Sequence, residues 1–209
     1  MHTLFMPVFP VVRRSFRHIW KSKIPYKIKI FTWLLKNKVI LTKDNMVKNK
    51  WPGNPSCSFC SQLETVDHLF FQCSVATVTW GFIALCLGTH EIPNEILAYS
   101  GWIRKHLPGG TTIYHFIFAA ICWAIWKCRN KACFDSKLIK HPAEIIYHAS
   151  SFMMYWAGLY PPEMQGKILE GVMTLLACIR RAVAMQPDTA PRILPAMTEE
   201  DKAEDEDEE

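Results

Sequence analysis

Four residues of the types that bind zinc lie within 17 residues of the chain, in the order Cys57-x2-Cys60-x7-His68-x4-Cys73. Zinc favours a tetrahedron of thiolate and imidazole ligands, and a site that the protein fills with four such ligands is structural. A Cys-x2-Cys pair suits this geometry because one tight turn directs both sulfurs at the same ion. The spacing therefore predicts one structural Zn²⁺, and a local fold organised around it.

The second ligand pair places a condition on the backbone. On one continuous α-helix, His68 and Cys73 would be separated by about 500° of rotation, so their side chains would point about 140° apart. We therefore expect a short helical turn that begins near Glu64 and Thr65 and ends before Cys73. A new helix then begins at Ser74.

Two other interpretations of this segment stay open. Buried free thiols and a core histidine would give the same residue types, because free cysteine is commonly buried. Cys86 and His90 are the substitute ligands that the spacing allows nearby. The clustering of four candidate ligands between turn-forming residues favours zinc over both.

The first residues of the chain indicate in which cellular compartment the protein is located. A short apolar stretch lies there, but it has neither a basic region before it nor a small-residue cleavage site, so we predict that the protein is not secreted. A nuclear or cytoplasmic location follows, where close cysteine pairs more often bind metal than form disulfides. The alternative is a mitochondrial presequence, because Arg13, Arg14 and Arg17 precede the first acidic residue.

The remaining pattern predicts a mainly α fold without convincing strands. We expect an irregular lead-in over residues 1–15, a small helical domain stapled by zinc over 16–88, and a further helical region over 89–186. Residues 187–209 are rich in proline and acidic residues, which predicts a disordered acidic tail. The most apolar run, residues 113–126, would rise about 21 Å as a helix, less than the bilayer core of about 30 Å, so no membrane span is predicted.

Charge is distributed unevenly along the chain. Residues 1–56 carry twelve basic residues and one acid, whereas residues 199–209 carry nine acids and one base. Basic side chains gain affinity for nucleic acid by releasing the counterions of its phosphates. The predicted phosphate contacts to RNA or DNA are Lys21, Lys23, Lys27, Lys29, Lys36 and Lys38.

Aromatic residues lie among these lysines, and Tyr26, Phe31 and Trp33 offer surfaces on which bases can stack. Their helical spacing is more typical of core positions. The lysines on the other face then form an ordinary solvated surface.

Nothing in the sequence indicates catalysis. Two-metal phosphoryl transfer needs clustered carboxylates, and only ten acids lie outside residues 199–209. No phosphate-binding loop or nucleophile with a neighbouring base is present, and a filled four-ligand site leaves no position for an activated water. We therefore predict that the protein is not an enzyme.

Two segments resemble the zinc-binding domain of reverse transcriptases from plant non-LTR (LINE-type) retrotransposons, and a third resembles a helix that often follows this domain in such polyproteins. The opening motif is IWKSKIPYKIKIFTWLLKNKVILTKDNM, the metal motif is CSFCSQLETVDHLFFQCSVATVTW, and the later helix motif is AIWKCRNKACF. The resemblance implies zinc binding and a role in engaging nucleic acid downstream of a polymerase, whose catalytic domain is absent from this chain. The tail departs from the family pattern.

The function predicted from sequence is therefore that of a non-catalytic, retrotransposon-derived zinc-binding domain that assists nucleic-acid binding through its basic N-terminal face. The alternatives are a zinc-stapled module for protein partners that the sequence does not identify, and an inactive transposon relic. The acidic tail is also a candidate for occupying the basic face in cis, in which case removing residues 199–209 raises nucleic-acid affinity.

Overall fold

The computed structural model describes residues 17–110 and 113–185, so the predicted lead-in and acidic tail lie outside the described residues. The described part is mainly helical, as predicted, and its one β feature is an isolated bridge between Ser56 and Leu63. The helices are α1 (Arg17–Lys21), α2 (Tyr26–Lys36), α3 (Lys43–Lys48), α4 (Ser74–Cys86), α5 (Ile96–His106), α6 (Tyr114–Phe134), α7 (Ala143–Ala157) and α8 (Pro162–Ala184), with a π-helical turn (His68–Gln72) before α4.

Helix α2 begins directly after Pro25, as the fixed φ of proline favours. Its buried residues Ile28, Phe31 and Leu35 lie along one side. The Phe31 ring meets the edge of Trp123 with centroids 5.0 Å apart, so α2 packs on α6 through this side.

Helix α6 is the centre of the fold. It contacts α2, the π-helical turn and α7, and its apolar residues between Phe118 and Ile125 are buried almost all round the helix. This explains why the most apolar run of the sequence is a core helix. Within the described ranges we find no helix whose length and apolar content would let it span a bilayer.

Helix α8 closes the other side of the molecule. Its buried residues Ile168, Val172, Leu176 and Ile179 recur every three or four positions, which gives one apolar stripe on an otherwise exposed helix. This stripe packs on α4 and α7.

A single hydrophobic core joins these elements. Buried side chains form one continuous cluster whose members run from Ile24 in the connection before α2 to Ile179 in α8. The metal segment and the later helices thus share a core across residue 88. The boundary between 16–88 and 89–186 stays a prediction.

Candidate metal centre

The four predicted ligands converge in the structure. One ligand atom from each of Cys57, Cys60, His68 and Cys73 lies within 4.8 Å of all the others. The Cys57 and Cys73 sulfurs are 3.9 Å apart, those of Cys60 and Cys73 are 3.6 Å apart, and Cys60 Sγ is 3.1 Å from His68 Nε2. Zn–S bonds of about 2.3 Å in a tetrahedron place two sulfurs about 3.8 Å apart. The donor set therefore fits a zinc ion in both chemistry and spacing.

A tight turn presents the first two sulfurs. The backbone N–H of Ser61 donates to the Cys57 carbonyl at 2.9 Å, and the Cys57 N–H donates to the Gln62 carbonyl at 2.6 Å. Ser61 adopts a left-handed backbone with φ of +61°, which reverses the chain. The Phe59 N–H lies 3.5 Å from Cys57 Sγ and points a donor at a sulfur that carries negative charge when it binds metal.

The π-helical turn solves the geometric problem of the second pair. The N–H of Cys73 donates to the carbonyl of His68 at 2.7 Å, an i to i+5 hydrogen bond that brings the two residues to the same side of a widened turn. Cys73 then has φ −58° and ψ 142°, so the helical turn ends there and α4 begins at Ser74, as predicted. At the start of the turn, the Thr65 hydroxyl accepts the His68 N–H at 3.1 Å, as N-cap side chains do.

Hydrogen bonding and burial shift the pKa values of three of the four candidate ligands. Hydrogen bonding to Cys73 and then burial raise the pKa of the Cys57 thiol, and burial raises the pKa of Cys60. Burial also lowers the pKa of His68, against the opposing effect of Glu64. The imidazole is therefore held in the neutral form that binds metal, whereas the thiols must release protons to a metal ion. Zinc binding at this site should weaken as pH falls.

The site is built into the core. Phe70 and Phe71, inside the π-helical turn, are fully buried. The Trp80 indole N–H donates to the Phe70 carbonyl at 2.7 Å, and the Phe71 and Trp80 rings stack with centroids 5.6 Å apart. With four protein donors the site leaves no open coordination position, so the arrangement is suited to holding the fold together.

A buried ion pair joins the metal segment to α6. Glu64 and Arg129 are 0% and 2% exposed, and Arg129 Nη2 lies 2.6 Å from Glu64 Oε1 while its Nε contacts both carboxylate oxygens at 3.1 and 3.2 Å. The backbone N–H of Lys43 donates to the same carboxylate at 2.9 Å. Both residues of the pair belong to motifs that resemble the family, but local spacing assigns neither of them a role. Because 65 residues separate them along the chain, short sequence patterns do not predict that they pair.

A second link lies nearby, where the Ser58 hydroxyl is 3.0 Å from the Cys133 sulfur of α6. The predicted substitute ligands Cys86 and His90 do not join the cluster. Among the described residues, Cys57, Cys60, His68 and Cys73 form the one group of three or more candidate ligands.

The six predicted phosphate contacts lie in different environments. Lys21, Lys23 and Lys27 are exposed. Lys36 is partly buried, with its ammonium 5.7 Å from the Phe118 ring centroid, and burial lowers its pKa.

The other two predicted contacts have partners. The Lys29 ammonium donates to the Trp20 carbonyl at 2.9 Å, and Lys38 forms an ion pair with Asp67. Lys21, Lys23, Lys27 and Lys29 have no carboxylate within ion-pair distance in the part of the chain that the structure describes.

Comparison with known proteins agrees with this geometry. Residues 8–80 match the family described as zinc-binding in reverse transcriptase. A curated Arabidopsis thaliana protein, named Putative ribonuclease H protein At1g65750, is 26% identical over 161 residues, an alignment that covers 68% of this chain. The chain spans about 25% of that relative's length. No solved structure matches the chain.

The matched segment contains all four converging ligands, the π-helical turn and the start of α4. The ligand geometry and the family match therefore point to the same part of the chain. The predicted resemblance to the zinc-binding domain of reverse transcriptases is thus confirmed over residues 8–80.

Proposed function

We propose that this chain is a non-catalytic, retrotransposon-derived domain that one structural zinc ion stabilises and that binds nucleic acid through α1 and α2. The observation that carries the proposal is the group of lysines on and between these helices without carboxylate partners among the described residues, with α2 packed on α6. The names of the matched family and relative, which mention reverse transcriptase and ribonuclease H, support a nucleic-acid setting. A nuclear or cytoplasmic location belongs to the same proposal.

Charge supports a polyanionic partner at these helices. Residues 17–36 carry six basic residues and no acid. The exposed Lys48, Lys105 and Lys167, in contrast, form ion pairs with Asp44, Glu91 and Glu163. A lysine without a carboxylate partner is free to exchange its counterions for phosphate.

The test compares two triple variants of equal charge. In the first, Lys21, Lys23 and Lys27 are changed to Gln; in the matched control, Lys48, Lys105 and Lys167 are changed to Gln. Binding of the zinc-loaded full chain to labelled RNA and DNA is followed by fluorescence anisotropy over a salt series.

We expect wild-type affinity to fall with salt, because counterion release drives binding. In the first variant, the negative slope of log affinity against log salt concentration should be less steep by about 2. This corresponds to three lost phosphate contacts on a single strand. The control should keep the wild-type slope. Equal losses of affinity in both variants would mean that net charge alone determines binding. If the wild type binds neither RNA nor DNA, the protein-interaction alternative would remain.

A further inference from the structure

Two large aromatic side chains lie exposed where α1 meets α2. Trp20 is 44% exposed and Tyr26 is 70% exposed, and their ring centroids are 6.2 Å apart with the planes at 43°. The Lys29 ammonium, on the next turn of α2, donates to the Trp20 carbonyl and so ties the two helices together at this point. The Lys29 side chain therefore fixes the Trp20 backbone against α2, while both rings are open to solvent.

Helical geometry extends this surface along α2. Ile30 and Trp33 follow Tyr26 at intervals of four and three residues, which places all three on one side of the helix, away from the buried side. Ile30 is 38% exposed and Trp33 is partly exposed. From Tyr26 to Trp33 the helix rises about 10 Å. We call Trp20, Tyr26, Ile30 and Trp33 the aromatic ridge.

Exposed lysines lie on the same two helices as the aromatic ridge and in the connection between them. The ammonium groups of Lys23 and Lys27 lie 5.8 and 5.3 Å from the ring centroids of Tyr160 and Trp123, and both side chains are exposed. Lys21 is also exposed and adjoins Trp20 in the sequence. An apolar protein partner would bury these charges uncompensated, which is costly, whereas a polyanion would neutralise them.

We propose that the aromatic ridge is a stacking platform for single-stranded nucleic acid: Trp20 and Tyr26 stack on unpaired bases while Lys21, Lys23 and Lys27 contact the flanking phosphates. This inference rests on the proposed function and assigns it a substrate class. Base faces are accessible in a single strand but stacked inside a duplex, so exposed aromatic rings beside lysines select the former. The binding is independent of sequence, because every base has a face on which an aromatic ring can stack.

The experiment uses the zinc-loaded full chain and two changes, Trp20→Leu and Tyr26→Leu. The control is Tyr155→Leu, which removes an 83% exposed tyrosine from α7. The probes are an unstructured oligouridylate of about 15 nucleotides, an abasic strand of equal length, and a duplex. Circular dichroism verifies the fold of each variant, and Tyr26→Leu provides the test if Trp20→Leu does not fold.

Each change on the ridge should lower affinity for oligouridylate by about 5- to 150-fold, the effect of losing one stacked base. Affinity for the abasic strand and the duplex should stay within about twofold, since phosphate contacts remain. Tyr155→Leu should change none of the three affinities.

The outcomes separate this inference from the proposed function. If the variant with Lys21, Lys23 and Lys27 changed to Gln loses binding while both ridge variants retain it, the stacking platform is wrong and the proposal of nucleic-acid binding stands. The platform is also refuted if the ridge variants lose equal affinity for the abasic strand and for oligouridylate. If the wild type binds none of the probes, both proposals fail together.

Discussion

The ion pair between Glu64 and Arg129 makes the sharpest prediction about stability. The change is Arg129→Met, which keeps an unbranched side chain in the core but removes the guanidinium. Glu64 is completely buried and keeps, after this change, the hydrogen bond from the Lys43 N–H. Three contacts of 2.6 to 3.2 Å to Arg129 are lost at once.

The magnitude follows from the burial of both partners. Breaking a buried pair by removing one partner costs about 3–5 kcal/mol, because the remaining charge is left uncompensated in a medium of low dielectric constant. A domain is typically stable by about 5–15 kcal/mol, so this single change removes a large share of the total. We expect the zinc-loaded variant to unfold at a markedly lower urea concentration.

Urea unfolding followed by far-UV circular dichroism measures the loss, and an exposed pair supplies the control. Lys167 and Glu163 form an ion pair at 2.8 Å with 65% and 84% of their side chains exposed, so Lys167→Met should leave the urea midpoint nearly unchanged. The double change Glu64→Gln with Arg129→Met should restore part of the stability by removing the buried charge. A loss in Arg129→Met no larger than in the control would refute the reasoning.

Three further predictions concern other parts of the chain. Gly166 and Gly171 are exposed inside α8, and a methyl group added at either position would meet no neighbouring atom, so Gly→Ala at each should raise the free energy of unfolding by about 1 kcal/mol, measured by urea unfolding. Burial, with a neighbouring lysine and histidine, lowers the pKa of His115 to about 4. Between about pH 6.5 and 4, this histidine is therefore protonated in the unfolded chain but neutral in the folded chain. The free energy of unfolding, measured with urea, should fall as pH drops through this range, and His115→Gln should reduce this pH dependence. Removing residues 199–209 should raise affinity for RNA in the anisotropy assay if the acidic tail covers the basic helices.

The convergence of the four candidate ligands was predictable from sequence because its determinants are local. Cysteine and histidine spacing identified Cys57, Cys60, His68 and Cys73, and the rotation between His68 and Cys73 on a helix required a break before Ser74. The structure makes that break with an i to i+5 hydrogen bond. The π-helical form itself was not predicted, since a single wide turn leaves no signature in residue periodicity.

Features that depend on distant packing could not be derived in this way. The partner of Glu64 lies 65 residues away, and Lys36 is partly buried because the end of α2 lies over Phe118 of α6. Helical spacing favoured core positions for the aromatic residues of α2. Phe31 is in the core, but Tyr26 is exposed because α2 packs on α6 through its other side.

The central claim is that a zinc ion held by Cys57, Cys60, His68 and Cys73 organises the fold. Native mass spectrometry of protein purified without added zinc, beside the Cys60→Ser variant, tests it most directly. We predict one zinc ion per chain in the wild type and its loss in the variant, together with loss of helical signal in circular dichroism. A well-folded wild type that contains no metal would contradict the account.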